Sequence, residues 1–148
     1  MRFLRTPRTP RSMLSGMRMV LLAVVLTGCT QVTTGPLTMA LAPDVDRPTF
    51  EAAADYWKRC GVSIETAESA TILVKVAPLN GEGGGVQRGG IVTVDPSNAR
   101  DVFVFAHEIG HVLGLRHDDS GDPAVMAQSR WPVGEPYESD LEQLAALR

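Results

Sequence analysis

The 148-residue chain is long enough for one domain of ordinary size. Five of its 14 basic residues and none of its 17 acidic residues lie in the first 29 positions, so the remainder carries a net charge near −8 with the histidines neutral. This charge argues against a nucleic-acid partner, because phosphate contacts require a basic surface, and equally against attraction to anionic lipid.

The N-terminal segment has the pattern of an export signal. An apolar run over residues 19–26 follows the arginine-rich start. A membrane-spanning helix needs about 20 apolar residues, so this shorter run fits the hydrophobic region of a signal peptide. The run ends in Leu26-Thr27-Gly28-Cys29, which resembles the lipobox of bacterial lipoproteins.

The lipobox resemblance implies removal of residues 1–28 and lipidation of Cys29. Residues 29–36 then form the lipidated cysteine and a polar tether, and residues 37–148 form the functional domain. Acyl chains at Cys29 would anchor the exported protein to the bacterial cell envelope, at the outer membrane or an extracellular face. The alternative is an ordinary signal peptide followed by a chance cysteine.

Stretches with alternating or β-branched residues predict short strands along the domain. These strands cover residues 37–41, 62–64, 71–77, 86–88 and 91–94. A glycine-rich loop precedes the fourth strand, and Asp95-Pro96 ends the fifth.

Three helices are predicted between and after these strands. The first begins near Pro48 and ends before Gly61, with an apolar face. The residues of that face are Phe50, Ala53, Ala54 and Trp57. The second helix runs from about Ser97 or Asn98 to Leu113. The third covers residues 139–147. It opens with a capping-box pattern, and its leucines share one face. The residues concerned are Ser139, Leu141, Glu142, Leu144 and Leu147. This order of elements indicates an α/β or α+β domain with a small mixed sheet.

The second helix contains the residues with the clearest chemistry. His107 and His111 are four positions apart, so they lie on one helix face and can bind the same metal ion. Catalytic zinc is held by three protein ligands plus water, so a third ligand must come from beyond the helix. Gly114 permits the left-handed backbone that would end the helix and turn the chain, and His117 follows three residues later.

Glu108 adjoins the first histidine but points to a different sector of the helix. It is therefore poorly placed to share the metal and well placed to contact a water molecule on it. Zinc lowers the pKa of such a water towards about 7, and Glu108 could act as general base and then protonate the leaving amine.

This segment resembles the metzincin signature H-E-x-x-H-x-x-G-x-x-H at all five fixed positions. Five specified residues occur at a given start by chance on the order of once in a few million. The resemblance implies an α+β zincin fold, in which a small twisted mixed sheet packs on the zinc helix. A first helix follows strand 1 and another helix closes the chain. It also implies that Met126 forms the methionine turn beneath one catalytic zinc; the alternative is an ordinary core methionine.

Within the metzincins, the chain is most similar to the matrixins over residues 37–148. That resemblance implies that an edge strand binds the substrate peptide as an additional strand. The residues of that strand are Gly84, Gly85, Val86 and Gln87. It also implies that residues 127–132 line the pocket for the residue after the cleaved bond.

Departures from the matrixin pattern limit its ligand set. All three histidines of the chain are in the signature, so none remains for a structural zinc. Calcium could bind to Asp118, Asp119 and Asp122, but their spacing matches no calcium motif, and a solvated acidic loop is the simpler interpretation. Cys60 is interpreted as a half-buried structural cysteine.

These observations predict a monomeric zinc-dependent endopeptidase that acts on peptides or proteins outside the cytoplasm. One alternative is a catalytically silent metzincin scaffold that holds zinc and binds peptides on the cell envelope. Glu108 argues against it, because zinc can be held without that carboxylate. A third reading, a structural lipoprotein of the envelope, leaves the three spaced histidines unexplained.

Overall fold

The computed structural model describes residues 35–81 and 83–148. The predicted leader, the lipidation site Cys29 and most of the tether lie outside these residues. The described residues form one compact unit. In the part of the chain that is described, no helix has the length and apolar character needed to cross a membrane.

The unit is an α+β domain of five strands and three helices, as predicted. The strands are β1 (Leu37–Leu41), β2 (Ile64–Thr66), β3 (Ile72–Val76), β4 (Gly85–Arg88) and β5 (Ile91–Val94). The helices are α1 (Arg47–Arg59), α2 (Val102–Val112) and α3 (Glu138–Ala146). A short 3-10 turn, Pro96–Asn98, lies between β5 and α2.

The five strands form a single mixed sheet in the order β2-β1-β3-β5-β4. Every neighbouring pair is parallel except β4 and β5, which are antiparallel. β4 is therefore an edge strand that runs against the rest of the sheet. One face of the sheet is buried against the helices through Met39, Val74 and Val92, whereas Leu73 and Ile91 on the other face remain over a third exposed.

Helix α1 follows the sequence prediction closely. Asp46 caps its start by accepting a hydrogen bond from the Thr49 amide at 3.2 Å. Gly61, with φ +84°, follows its end. The predicted apolar face is buried in full, at Phe50, Ala53, Ala54 and Trp57. Cys60 is also buried, and burial raises the pKa of its thiol to about 11, which fits a structural cysteine.

The start of α2 was predicted four or five residues too early. Residues 96–98 form a separate turn, in which the Asp95 carboxylate accepts from the Ser97 amide at 3.0 Å. Asp101 then caps α2 by accepting from the Phe103 amide at 3.0 Å. Two successive aspartate caps therefore divide a segment whose residues otherwise favour one helix.

The capping box predicted for α3 was wrong. The N-cap is Tyr137, which makes no side-chain cap hydrogen bond, and the Ser139 hydroxyl donates to the Asp118 carboxylate instead. Of the three leucines predicted to share one face, Leu144 is buried, whereas Leu141 and Leu147 are 40% and 44% exposed. The buried stripe of α3 contains Asp140 and Leu144, which are one helical turn apart.

Candidate active site

Three imidazole rings converge at one end of α2. His107 and His111 project from successive turns of the helix, and His117 reaches them from the chain beyond it. The Nε2 atom of His117 lies 3.1 Å from Nε2 of His111 and 3.1 Å from Nε2 of His107. The three predicted ligands are thus within reach of a single ion.

Gly114 makes this convergence possible by ending the helix in a left-handed turn. Its φ is +94°. The Leu115 amide donates to the Gly110 carbonyl and the Gly114 amide donates to the His111 carbonyl, both at 3.0 Å. This pair of hydrogen bonds is a Schellman motif, which satisfies the last helix carbonyls and reverses the chain. The reversal brings His117 back towards α2.

The first two histidines are oriented by backbone carbonyls. His107 Nδ1 donates to the Val125 carbonyl at 2.8 Å, and His111 Nδ1 donates to the Leu115 carbonyl at 3.0 Å. A carbonyl oxygen only accepts, so each Nδ1 carries the proton and each Nε2 presents a lone pair. These outer hydrogen bonds are typical of metal-binding histidines.

The donor set fits zinc. Lone pairs of neutral imidazoles repel one another at 3.1 Å unless a cation lies between them. Zinc binds imidazole nitrogen at about 2.0–2.1 Å with tetrahedral geometry, which places ligand nitrogens roughly 3.4 Å apart. Three protein ligands leave one tetrahedral position for water or substrate, as in catalytic zinc sites.

Glu108 lies beside this cluster with one carboxylate oxygen unused. Its side chain is 4% exposed, and Oε2 has no hydrogen-bond partner among residues 35–81 and 83–148. Burial raises the pKa of the carboxyl to about 7 in the metal-free protein. A carboxyl with that pKa can take up and release a proton near neutral pH.

A cleft of about 950 Å³ contains the histidines and Glu108. Its lining includes all four residues predicted for the substrate edge strand, Gly84, Gly85, Val86 and Gln87. A Cβ atom at Gly85 would lie only 2.7 Å from Glu108 Cγ and 2.9 Å from Val104 Cγ1. A glycine is therefore needed for edge strand β4 to pass so close to α2.

Comparison with known families agrees with this geometry. The sequence profile of metallo-peptidase family M12 (Reprolysin_5) matches residues 49–136. The chain belongs to this metallopeptidase family. The match includes the histidine motif, β4 and residues 118–128, so the residues that line the cleft lie within the matched region.

Other comparisons bear on the fold alone. No curated protein matches this chain. One similar solved structure is described as the GM1-bound form of the ECX AB5 holotoxin, with a TM-score of 0.59 and 14% identity. The alignment covers 77% of this chain and 80% of that one. At this identity, the likeness supports the arrangement of sheet and helices in the peptidase.

Met126 lies beneath the histidines of the peptidase, in the core. It is fully buried. A Cβ atom at Gly110 of α2 would overlap the Met126 sulfur and lie 2.9 Å from Trp57 Cζ2. Met126 therefore packs directly on the backbone of α2 between His107 and His111 and does not line the cleft.

Replacing Gly110 with alanine is expected to destabilise the peptidase by about 1–3 kcal/mol, because the new methyl group would overpack this contact. In an exposed helix the same change stabilises by about 1 kcal/mol. Urea unfolding measures the difference. Gly134→Ala, with no heavy atom within 4 Å of the added carbon, is the control. A Gly110→Ala variant as stable as the control would contradict the packing argument.

Asp140, which was not predicted from the sequence, is fully buried and accepts hydrogen bonds from the amides of residues 125–126. An aspartate in the first turn of a helix normally faces solvent, where its negative charge interacts favourably with the positive end of the helix dipole. The available signal was weak: Asp140 is four residues before the apolar Leu144, and therefore on the buried stripe.

The side chains of Asp118, Asp119 and Tyr137 form hydrogen bonds with other protein groups. Asp118 accepts from Ser139 and, at 2.8 Å, from the Ser120 amide, and Asp119 accepts from Gln128 at 3.0 Å. Among the residues that the structure describes, the histidine triad is the group of three ligands close enough to hold a metal. The Tyr137 hydroxyl donates to the Pro132 carbonyl at 2.6 Å, away from the triad.

Proposed function

We propose that this metallopeptidase is a zinc endopeptidase that hydrolyses peptide bonds outside the cytoplasm. One observation carries the proposal: three imidazole Nε2 atoms converge beside a buried carboxyl group with an unused oxygen. The metal ligands and the general base are then different residues, as metal-assisted amide hydrolysis requires. A scaffold that only held zinc would have no use for a buried, unpartnered Glu108.

The residues of the cleft divide the reaction between them. His107, His111 and His117 would hold zinc, which supplies a polarising charge for the scissile carbonyl and acidifies water. Glu108 takes the proton of the attacking water and delivers it to the leaving nitrogen. As an edge strand, β4 offers backbone groups that can pair with an extended peptide and fix its register.

The narrower assignment to the matrixins remains a prediction. It is supported by the antiparallel edge strand beside the cleft and by Met126 packed beneath α2. The family match, however, is to metallo-peptidase M12, so it supports the metallopeptidase assignment without this subdivision.

Export and lipidation are part of the proposal and rest on the sequence of the first 29 residues. A lipid anchor at Cys29 would hold the catalytic domain at the cell envelope, within reach of exported proteins. Fatty-acid labelling of the full chain expressed in a bacterial host tests this point. Wild type should be labelled and Cys29→Ser should not, whereas a labelled variant or an unlabelled wild type would contradict it.

The hydrolytic function is tested on casein and a peptide library. Purified protein should cleave casein, lose activity when a chelator removes zinc, and regain it when zinc is restored. Zinc-loaded protein that cleaves neither casein nor any library peptide would overturn the proposal. It would favour the peptide-binding scaffold if the same protein still bound library peptides.

A further inference from the structure

A fully buried carboxylate lies behind the zinc site, on the opposite side of residues 125–126 from the cleft. Asp140 Oδ2 accepts from the Tyr56 hydroxyl at 2.6 Å and from the Val125 amide at 2.8 Å, and Oδ1 accepts from the Met126 amide at 3.2 Å. Burying a carboxylate is costly unless it is well hydrogen-bonded, and these three donors meet that requirement.

One peptide group connects this carboxylate to a metal ligand. The peptide between Val125 and Met126 donates its N–H to Asp140 and accepts at its carbonyl from His107 Nδ1. Because the peptide donates a hydrogen bond at its N–H and accepts one at its carbonyl, both bonds polarise it in the same direction. Each hydrogen bond therefore strengthens the other. Asp140, the peptide and His107 thus form a continuous chain that ends at the imidazole.

Tyr56 fixes the carboxylate from the other side. Its hydroxyl accepts from the Tyr137 amide at 3.1 Å while donating to Asp140. Burial, together with the neighbouring Asp140, raises the pKa of Tyr56 far above its usual range, so the phenol stays a donor. Helix α1, helix α3 and residues 125–126 are therefore tied together at one fully buried point.

We propose that Asp140 is a positioning residue for His107: acting through the Val125–Met126 peptide, it orients the imidazole and keeps the proton on Nδ1. The inference rests on the zinc site of the proposed function. It assigns to helix α3, which contributes no residue to the cleft, a role in metal affinity. Outer hydrogen bonds of this kind raise ligand basicity and fix the ring, and losing them typically costs about 10–100-fold in metal affinity.

The test compares Asp140→Asn with Leu144→Ala, a buried substitution on the same helix that leaves the hydrogen-bonded chain intact. In Asp140→Asn, a side-chain NH₂ group replaces one carboxylate oxygen. This group cannot accept a hydrogen bond, so one of the three donors loses its acceptor. Its zinc affinity, measured by chelator competition, should fall about 10–100-fold. Leu144→Ala should bind zinc as wild type does, with thermal unfolding of both zinc-free variants recorded in parallel. Equal zinc affinity in the two variants would overturn the inference.

A second measurement does not depend on whether Asp140→Asn folds. Nitrogen-15 NMR of the imidazoles in zinc-free wild type should show His107 protonated at Nδ1. The Nε2-protonated form of His107 would overturn the inference. Neither measurement uses peptide cleavage, so a protein that binds zinc and shows this tautomer but leaves casein intact would contradict the proposed function alone.

Discussion

Replacing Glu108 with glutamine is expected to abolish peptide cleavage and leave zinc binding unchanged. Glutamine keeps the size of the side chain but cannot take a proton from water. General acid–base catalysis contributes roughly 10²–10⁴-fold, so kcat/KM should fall by about 10³-fold. The proposed zinc ligands are the three histidines, which the change does not touch. Peptide hydrolysis and zinc content, measured on the same preparation, check both parts.

Glu65→Gln is the matched control, because Glu65 is an exposed glutamate on β2 at the far edge of the sheet. It should cleave as wild type does. If Glu108→Gln retained full activity, another group would have to be the base. If it lost zinc instead, Glu108 would be a ligand and the division of roles would be wrong.

Replacing His117 with alanine is expected to remove zinc from the protein. Zinc sites with four ligands have apparent binding free energies of about 10–16 kcal/mol, or roughly 3 kcal/mol per ligand, so affinity should fall by about 10²-fold or more. His117 is exposed and lies outside the helices, so the zinc-free fold should be as stable as wild type. Thermal unfolding with and without zinc measures both quantities, because zinc raises the melting temperature only of a protein that binds it.

Arg116→Ala changes the neighbouring exposed side chain and serves as the control. It should keep the zinc-dependent rise in melting temperature. A His117→Ala variant that showed the same rise as Arg116→Ala would mean that two histidines suffice, and a catalytic site with three protein ligands would be excluded.

The convergence of the three histidines could be predicted because it follows from local geometry. Helical spacing places His107 and His111 on one face, and Gly114 has the left-handed backbone that its position after the helix suggested. Four of the five strands could be predicted for a similar reason, since alternation and β-branching are local properties. In each case, the residues that decide the local structure are close together in the sequence. The second strand was predicted at residues 62–64, whereas β2 begins at Ile64.

The features that sequence reasoning missed depend on contacts between distant residues. Tyr56 and Asp140 are 84 positions apart, and only the tertiary fold brings them together. The need for glycine at position 85 likewise arises from the approach of β4 to Glu108. The capping-box error has the same origin, because Ser139 donates to Asp118, 21 positions earlier.

X-ray absorption at the zinc edge of the zinc-loaded protein tests the central claim most directly. The arrangement of the three histidines predicts three imidazole nitrogens and one oxygen at about 2.0–2.1 Å from the metal. A wild-type spectrum with two imidazoles or fewer, or with a sulfur ligand from Cys60, would contradict the account.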